Sequence, residues 1–381
     1  MLKKMMIILF FLFCLFISNS IFATDKQFID IESEAAVVID YETGRVLYEK
    51  NATQKMKMAS LTKIMTSILL VEHCPLNEMI EVPKGVVNIG GTTVGLKAGD
   101  TVSANSLLYG MLLPSGNDCA YTAGIHLGGS VEGFAQMMNE KAQELGLTDT
   151  HFANPHGLDD ENHYTTALSM AKIARYALNN KTLNEIVKTK QATINFGSFT
   201  KTLNNTNALL NSYEFADGIK TGFTNGANRC LAASATKDGK RFIAIVLGAQ
   251  TTQIRFQEAK LLLEECFNRY TMTDISSYLH FYINIPVIKG NIASYEKSIT
   301  DTLVYPLQEG EFDKIYVRQD TLSKLEAPIP FETNLGTIQV TIDDEIIYEK
   351  TLFLDQTITK KTMLDYIQDG ISNMFLPIPS I

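Results

Sequence analysis

The chain has 381 residues, 45% of them hydrophobic and 20% charged, with a formal net charge of −9 at pH 7. That length and apolar content suit more than one packed domain and exclude a disordered chain. The acidic balance without a Lys/Arg cluster excludes a nucleic-acid surface, and no Cys/His spacing suits a metal.

Lys3 and Lys4 precede the apolar run Met5 to Ile17, and Ser18 to Ala23 follows before Thr24. This predicts a secretory signal over residues 1–23, cleaved near Ala23. The alternative is a retained membrane helix, but the run is only about 13 residues against the ~20 that a span needs. Cleavage would put the mature chain outside the cytoplasmic membrane. Cys14 leaves with the signal and lacks the small flanking residues of a lipoprotein site. Cys74, Cys119, Cys230 and Cys266 remain; they could pair in an oxidising space, but their dispersion predicts isolated buried thiols.

Ala35–Ile39 and Arg45–Tyr48 are β-rich and joined by a turn at Gly44, a hairpin. Next, Leu61, Ile64, Met65, Ile68 and Leu69 recur at i, i+3, i+4, i+7 and i+8, the pattern of a helix with one buried face. Ser60 opens it, and Lys63 follows three residues later, so the two side chains share a face of the first turn. A serine hydroxyl is a weak nucleophile until a base takes its proton, and a desolvated, neutral lysine can be that base. From this tetrad alone a capping serine beside a solvated lysine is the favoured reading, because S-x-x-K recurs by chance in many helices.

Residues 73–102 show loop glycines and no chemistry. Ser103 to Leu112 has helical periodicity that Pro114 ends, which sets Ser115-Gly116-Asn117 on a loop before a second helix running to Leu127. Val131–Leu145 is a further amphipathic helix, and Thr165–Leu178 another. His151 and His156 flank a Pro-containing turn and read as local hydrogen-bonding residues. Asn204–Leu210 either lines a cleft or is a polar turn. Asp217 to Gly222 contains Lys220-Thr221-Gly222 before the strand Cys230–Thr236. The turn Lys237–Lys240 leads to the strand Phe242–Leu247, and the helix Gln257–Phe267 closes this part. From about Met272 short β runs alternate with prolines: His280–Val287, Lys297–Val304, Lys314–Arg318 and Thr337–Ile342. They predict a small β-sandwich-like domain without a catalytic constellation. At the end, Met363, Leu364, Ile367, Ile371, Met374 and Phe375 follow Lys360 and Lys361 at helical spacing. That tail either lies on a membrane surface or packs on the β domain, and Asp365 and Asp369 weaken attraction to anionic lipid.

The ordered trio Ser60-x-x-Lys63, Ser115-Gly-Asn117 and Lys220-Thr-Gly222, on helix, loop and strand, resembles the signature of penicillin-binding proteins and class A β-lactamases. Together with the β domain and tail, the chain is similar to the low-molecular-mass penicillin-binding proteins, serine-type D-Ala-D-Ala carboxypeptidases of peptidase family S11. The middle Gly116 departs from the usual Asp, but only the Ser and Asn side chains are needed. The resemblance implies an α+β, serine β-lactamase/DD-peptidase-like catalytic domain with an antiparallel sheet flanked by helices over residues 24–271. A small all-β domain over 272–358 and an amphipathic tail over 359–381 would follow. It implies Ser60 as nucleophile, Lys63 as base and Ser115 as proton relay. Asn117, Lys220, Thr221, Gly222 and Phe223 would bind substrate, and the backbone N–H groups of Ser60 and Phe223 would form an oxyanion hole. No metal or organic cofactor is implied. The partners would be a peptidoglycan stem peptide ending in D-Ala-D-Ala, β-lactams as covalent inhibitors, and a membrane surface for the tail. Two rivals stand beside this. A β-lactamase of class A needs a deacylating glutamate, and no E-x-x-L-N stretch lies between Asn117 and Lys220. A sensor or structural wall protein, acylated but not turning over, is the second, and the intact trio argues against it.

Overall fold

Strand β1 (Ala35–Asp40) is buried along its whole length, so it needs cover on both faces. Its alternation supplies two cores at once. Ala35, Val37 and Ile39 point into a helical layer, while Ala36 and Val38 point to the opposite side, under a long helix. The computed structural model describes residues 28–374, with the backbone alone for residues 369–374; the expected signal segment, Cys14 and Phe375 lie outside the described residues.

β1 pairs antiparallel with β2 (Val46–Lys50) as the expected hairpin. With β3 (Ala216–Thr224), β4 (Asn228–Lys237) and β5 (Lys240–Ala249) it makes one antiparallel sheet in the order β2-β1-β5-β4-β3. The first layer holds α1 (Thr62–His73), α2 (Ala104–Leu112), α3 (Asn117–Gly128), α4 (Val131–Glu144), α5 (Ala167–Asn179) and α6 (Lys181–Lys188). Helix α7 (Thr252–Arg269) covers the other face through Ala259, Leu262, Leu263 and Cys266. Local chemistry sets the helix starts. Ser103, Ser130, Thr166 and Thr251 each accept a hydrogen bond from a first-turn N–H through the side chain.

The sequence reading missed α6 and the hairpin Gln191–Asn195/Thr200–Asn204, and it started α7 five residues late. Helix α6 is eight residues long and buries only Leu183, Ile186 and Val187. The hairpin is polar, with one buried residue in its second strand. Neither carries enough apolar repeat to register. All four cysteines after the signal are free and buried, as their dispersion predicted.

Beyond α7, β6 (His280–Ile288) and β7 (Ser294–Thr300) pair in one three-stranded sheet, and β8 (Ile315–Thr321), β9 (Asn334–Ile342) and β10 (Glu345–Phe353) form another. Both sheets contribute to one separate core, with Ile283 and Ile285 from the first and Ile338 and Leu352 from the second. At the junction, Arg45 grips the Glu311 carboxylate with Nη1 and Nη2, at 2.9 and 2.5 Å. The guanidinium lies 5.4 Å and 5.2 Å from the rings of Tyr270 and Tyr305. Helix α8 (Met363–Met374) ends the described chain.

Candidate active site

The N-terminal end of α1 lies in the helical layer against β3. A one-turn 3-10 helix, Ala59–Leu61, precedes α1, so Ser60 sits in the entry turn and caps nothing. Its hydroxyl instead meets Lys63 Nζ at 2.8 Å. Lys63 is fully buried, and burial pushes its pKa down to about 7. Nζ also donates to Asn117 Oδ1 and to the His156 carbonyl, both at 2.7 Å. A neutral amine has two N–H groups and one lone pair. The two carbonyl-type acceptors take the protons, and the lone pair is left facing the Ser60 hydroxyl. The S-x-x-K spacing could not show this, because both acceptors come from distant stretches.

The segment 153–163 supplies one of them and fixes the turn. Thr66 Oγ1 donates to the Pro155 carbonyl at 2.6 Å. The Ala153 N–H donates to His163 Nδ1 at 3.0 Å, so Nε2 carries the proton and donates to Thr62 Oγ1 at 2.7 Å; Thr62 donates onward to the Ala59 carbonyl at 2.8 Å. Burial holds His163 neutral, its pKa pushed down to about 4, and likewise His156, down to about 3. A Cβ on Gly157, where φ is +89°, would lie 1.9 Å from the Ala59 oxygen; the absent side chain lets the segment press against the Ser60 turn. His151, by contrast, stays local and bonds the Asn162 carbonyl at 2.5 Å.

Ser115 is buried with φ at +72°, immediately before α3. It is absent from the partners of Lys63; Asn117 is the residue of that loop that touches the lysine. The Asn117 amide also donates to the Gly90 carbonyl at 2.7 Å. Asp118 accepts the N–H groups of Val94, Gly95 and Leu96 at 2.9–3.1 Å, and Lys201 Nζ donates to the Val94 carbonyl at 2.8 Å. Residues 90–96, where the sequence showed no chemistry, therefore form a fixed wall beside the site. Three backbone donors converging on one buried carboxylate left no spacing to read.

β3 supplies the other side. Gly222 lies so close to the Ser60 turn that a Cβ would be 3.1 Å from Ala59 Cβ, 3.1 Å from the Met58 oxygen and 3.2 Å from the Ser60 nitrogen. The glycine thus makes room for the Ser60 turn. Lys220 is fully buried, and its Nζ donates to the Thr221 carbonyl at 2.8 Å. Burial, followed by the charges of Lys63 and Arg255, lowers its pKa well below the usual lysine value. Thr221 Oγ1 lies 2.6 Å from Thr206 Oγ1, and Asn207 donates to the Gly218 carbonyl at 2.7 Å. The Asn204–Leu210 stretch therefore supports β3 from behind. Phe223 is half-exposed, with the Arg229 guanidinium 4.8 Å from its ring.

Arg255, from α7, escaped the sequence reading. It is buried and donates through Nη1 to the carbonyls of Gly222 at 3.0 Å and Cys230 at 3.4 Å. Burial pulls its pKa down to about 10. Among the described residues neither Lys220 nor Arg255 forms an ion pair with a carboxylate. Two desolvated basic groups, Lys220 on β3 and Arg255 reaching β3 from α7, thus lie beside one strand with no protein anion, an arrangement in which an anionic ligand would favour their charged forms.

Comparison with known proteins agrees with this geometry. Residues 21–251 match the peptidase S11 family model, D-alanyl-D-alanine carboxypeptidase, and residues 282–360 match the C-terminal domain of penicillin-binding protein 5. The chain is 31% identical to the D-alanyl-D-alanine carboxypeptidase DacF of Bacillus subtilis (strain 168), over 88% of each chain. It is also 31% identical to DacC of Escherichia coli (strain K12), over 91% of this chain and 89% of that one. The crystal structure of penicillin-binding protein 5 from Haemophilus influenzae superposes with a TM-score of 0.76 at 27% identity, covering 88% of this chain and 99% of that one. The Streptomyces K15 DD-transpeptidase superposes with a TM-score of 0.61 at 32% identity, covering 64% of this chain and 99% of that one. With its Ser60–Lys63–Asn117 cluster, its five-stranded sheet between helical layers and these matches along most of its length, the chain belongs to the D-alanyl-D-alanine carboxypeptidase family S11.

Proposed function

We propose that this chain is a serine D-alanyl-D-alanine carboxypeptidase that trims peptidoglycan stem peptides through an acyl-enzyme on Ser60. The observation that carries the reading is the buried Lys63 Nζ, 2.8 Å from Ser60 Oγ and 2.7 Å from both Asn117 Oδ1 and the His156 carbonyl, so that its neutral form can turn its lone pair to the hydroxyl. Lys63 takes the hydroxyl proton as Oγ bonds to the carbonyl carbon of the penultimate D-Ala. The backbone N–H groups of Ser60 and Phe223 hold the oxyanion, each such donor being worth ~3 kcal/mol. The C–N bond breaks, and Ser115 passes a proton to the leaving amine of the terminal D-Ala. Water then adds to the ester and frees Ser60. Asn117 and β3 bracket the peptide, while Lys220, Thr221 and Arg255 meet its terminal carboxylate and supply the cations that the protein leaves unpaired. A β-lactam enters the same way, but its ring opens without a departing fragment and the adduct persists.

Function in the cell-wall space agrees with the basic and apolar start of the sequence. Division into residues 24–271, 272–358 and 359–381 follows the change of core beyond α7. Among the described residues no helix is long and apolar enough to cross a membrane. The tail presents Met363, Leu364 and Ile367 to solvent behind Lys360 and Lys361, which supports its lying on a membrane surface.

The test is incubation with diacetyl-L-Lys-D-Ala-D-Ala and, separately, with labelled penicillin. Release of D-Ala and a long-lived penicillin adduct, both lost in Ser60→Ala, are expected. Rapid penicillin hydrolysis would mean a β-lactamase. An adduct without D-Ala release would mean a sensor.

A further inference from the structure

Cys74, Glu78 and His126 lie at the end of the helical layer opposite the nucleophile. One ligand-type atom from each comes within 4.8 Å of the others, and this is the one such cluster of three among the described residues. Cys74 follows the last residue of α1 and Glu78 sits four residues later, on a short turn closed by Glu78 N–H to the Pro75 carbonyl at 2.9 Å. That turn is pinned to the start of α2 by Ala104 N–H to the Glu78 carbonyl and Asn105 N–H to the Leu76 carbonyl, both at 2.9 Å. His126 is in the last turn of α3, with Nε2 at 2.9 Å from Glu78 Oε1. We propose that Cys74, Glu78 and His126 form a site for a thiophilic divalent cation, zinc before others, which ties together the C-terminal ends of α1 and α3.

The donor set argues for the metal class. Thiolate, imidazole and carboxylate together favour zinc over calcium or magnesium, which take oxygen ligands. At zinc–ligand lengths of about 2.0–2.3 Å, tetrahedral ligands stand about 3.5 Å apart, so the three atoms need only small side-chain rotations, Glu78 and His126 separating slightly. The position supports a cation as well, because the C-terminal ends of two helices carry partial negative charge there. Glu78 and His126 are partly exposed while Cys74 is 7% exposed, which leaves an entry path and a fourth position for water. Without metal, burial and then the Glu78 charge push the thiol pKa up to about 11. Binding therefore displaces the thiol proton to solvent and puts the cation's charge beside Glu78 in its place. Sequence spacing could not announce the site, since 48 residues separate Glu78 from His126. Helices α1 and α3 begin at Thr62 and Asn117, next to the active-site residues, and each is 12 residues long. The cation would therefore clamp the frame about 18 Å from the chemistry and take no part in it.

The experiment is cobalt(II) titration of the reduced, metal-free full chain, followed by zinc displacement. One equivalent of cobalt should give a thiolate-to-cobalt charge-transfer band that zinc abolishes, and zinc but not magnesium should raise Tm. Cys74→Ser should remove the band, His126→Ala should weaken cobalt binding at least tenfold, and Cys266→Ser should change neither. His126 is exposed, so its variant tests the site without threatening the fold, and D-Ala release should persist in all three variants. No charge-transfer band with excess cobalt would overturn the proposal, as would a band that survives unchanged in His126→Ala.

Discussion

A lysine stays charged only with water or a counter-ion at hand, and Lys63 has neither. Buried against two carbonyl-type acceptors, its ammonium loses to the neutral amine near pH 7. A base acts only when deprotonated, so acylation should be flat above about pH 7 and fall roughly tenfold per unit below it. Penicillin labelling rates from pH 5 to 9 measure this, and a rate that stays flat down to pH 5 would assign the proton to another group. Lys63→Ala should acylate ~10³-fold more slowly, in the usual range for a lost general base. Among the described residues Lys220 and Arg255 are also buried without a protein carboxylate, and burial lowers both of their pKa values; an anionic chain end bound beside them would favour their charged forms. Losing one member of a desolvated charged pair costs ~2–5 kcal/mol. Lys220→Ala and Arg255→Ala should each lower kcat/KM on a free D-Ala terminus by ~30-fold or more, at ~1.4 kcal/mol per tenfold. On the terminally amidated peptide wild type should be poor and the variants little worse. Equal losses on both peptides would speak for general electrostatics instead of carboxylate binding.

At the scale of elements, the site is held by the packing of segment 153–163 on the start of α1. Its hydrogen-bond chain runs from the Ala153 N–H through His163 and Thr62 to the Ala59 carbonyl, and works only with a neutral imidazole. The folded His163 pKa is depressed to about 4, whereas an unfolded histidine titrates near 6.5. On acidification the unfolded chain therefore binds the proton first. The stability from this group is whole above pH 6.5 and is lost as pH falls towards 4. Urea unfolding at pH 7 and 4.5 should show wild type losing more stability than His163→Gln over that interval. The variant should be ~1 kcal/mol less stable at pH 7, from the disturbed hydrogen bonds. Parallel losses in the two proteins would place the acid sensitivity elsewhere. That segment read as a turn with two local histidines. Of those two, His156 meets α1 only through its backbone carbonyl; the imidazole that bonds α1 belongs to a third, His163, whose partner Thr62 is 101 residues away.

For the whole molecule, every residue assigned to the chemistry lies before the β-rich end, while Arg45 of the first hairpin is clamped to Glu311 of the second core. A chain spanning residues 24–271 should keep kcat/KM within about twofold. It should melt lower than the full chain, because Arg45 loses Glu311 and the Tyr305 ring, and the Tyr270 hydroxyl loses Gln308. A large fall in kcat/KM with native-like circular dichroism would mean that the β-rich part shapes the cleft.

The sequence by itself determined the frame of this protein. Period-3.6 apolar spacing marked α1 to α5, β-rich runs bounded by turns marked the two hairpins of the main sheet, and three short motifs named Ser60, Lys63, Ser115, Asn117 and Lys220 to Gly222. Such signals are local, set by side chains within a turn or a strand of one another. Only the tertiary structure decided what those residues meet. It buried Lys63 between Asn117 and the His156 carbonyl, seated Gly222 against the Ser60 turn, and brought Arg255 from α7 to β3. It also fastened residues 94–96 to Asp118. The reason is physical: desolvation, carbonyl acceptors and close backbone approach come from segments far apart in the chain. A spacing rule cannot see them until the core closes.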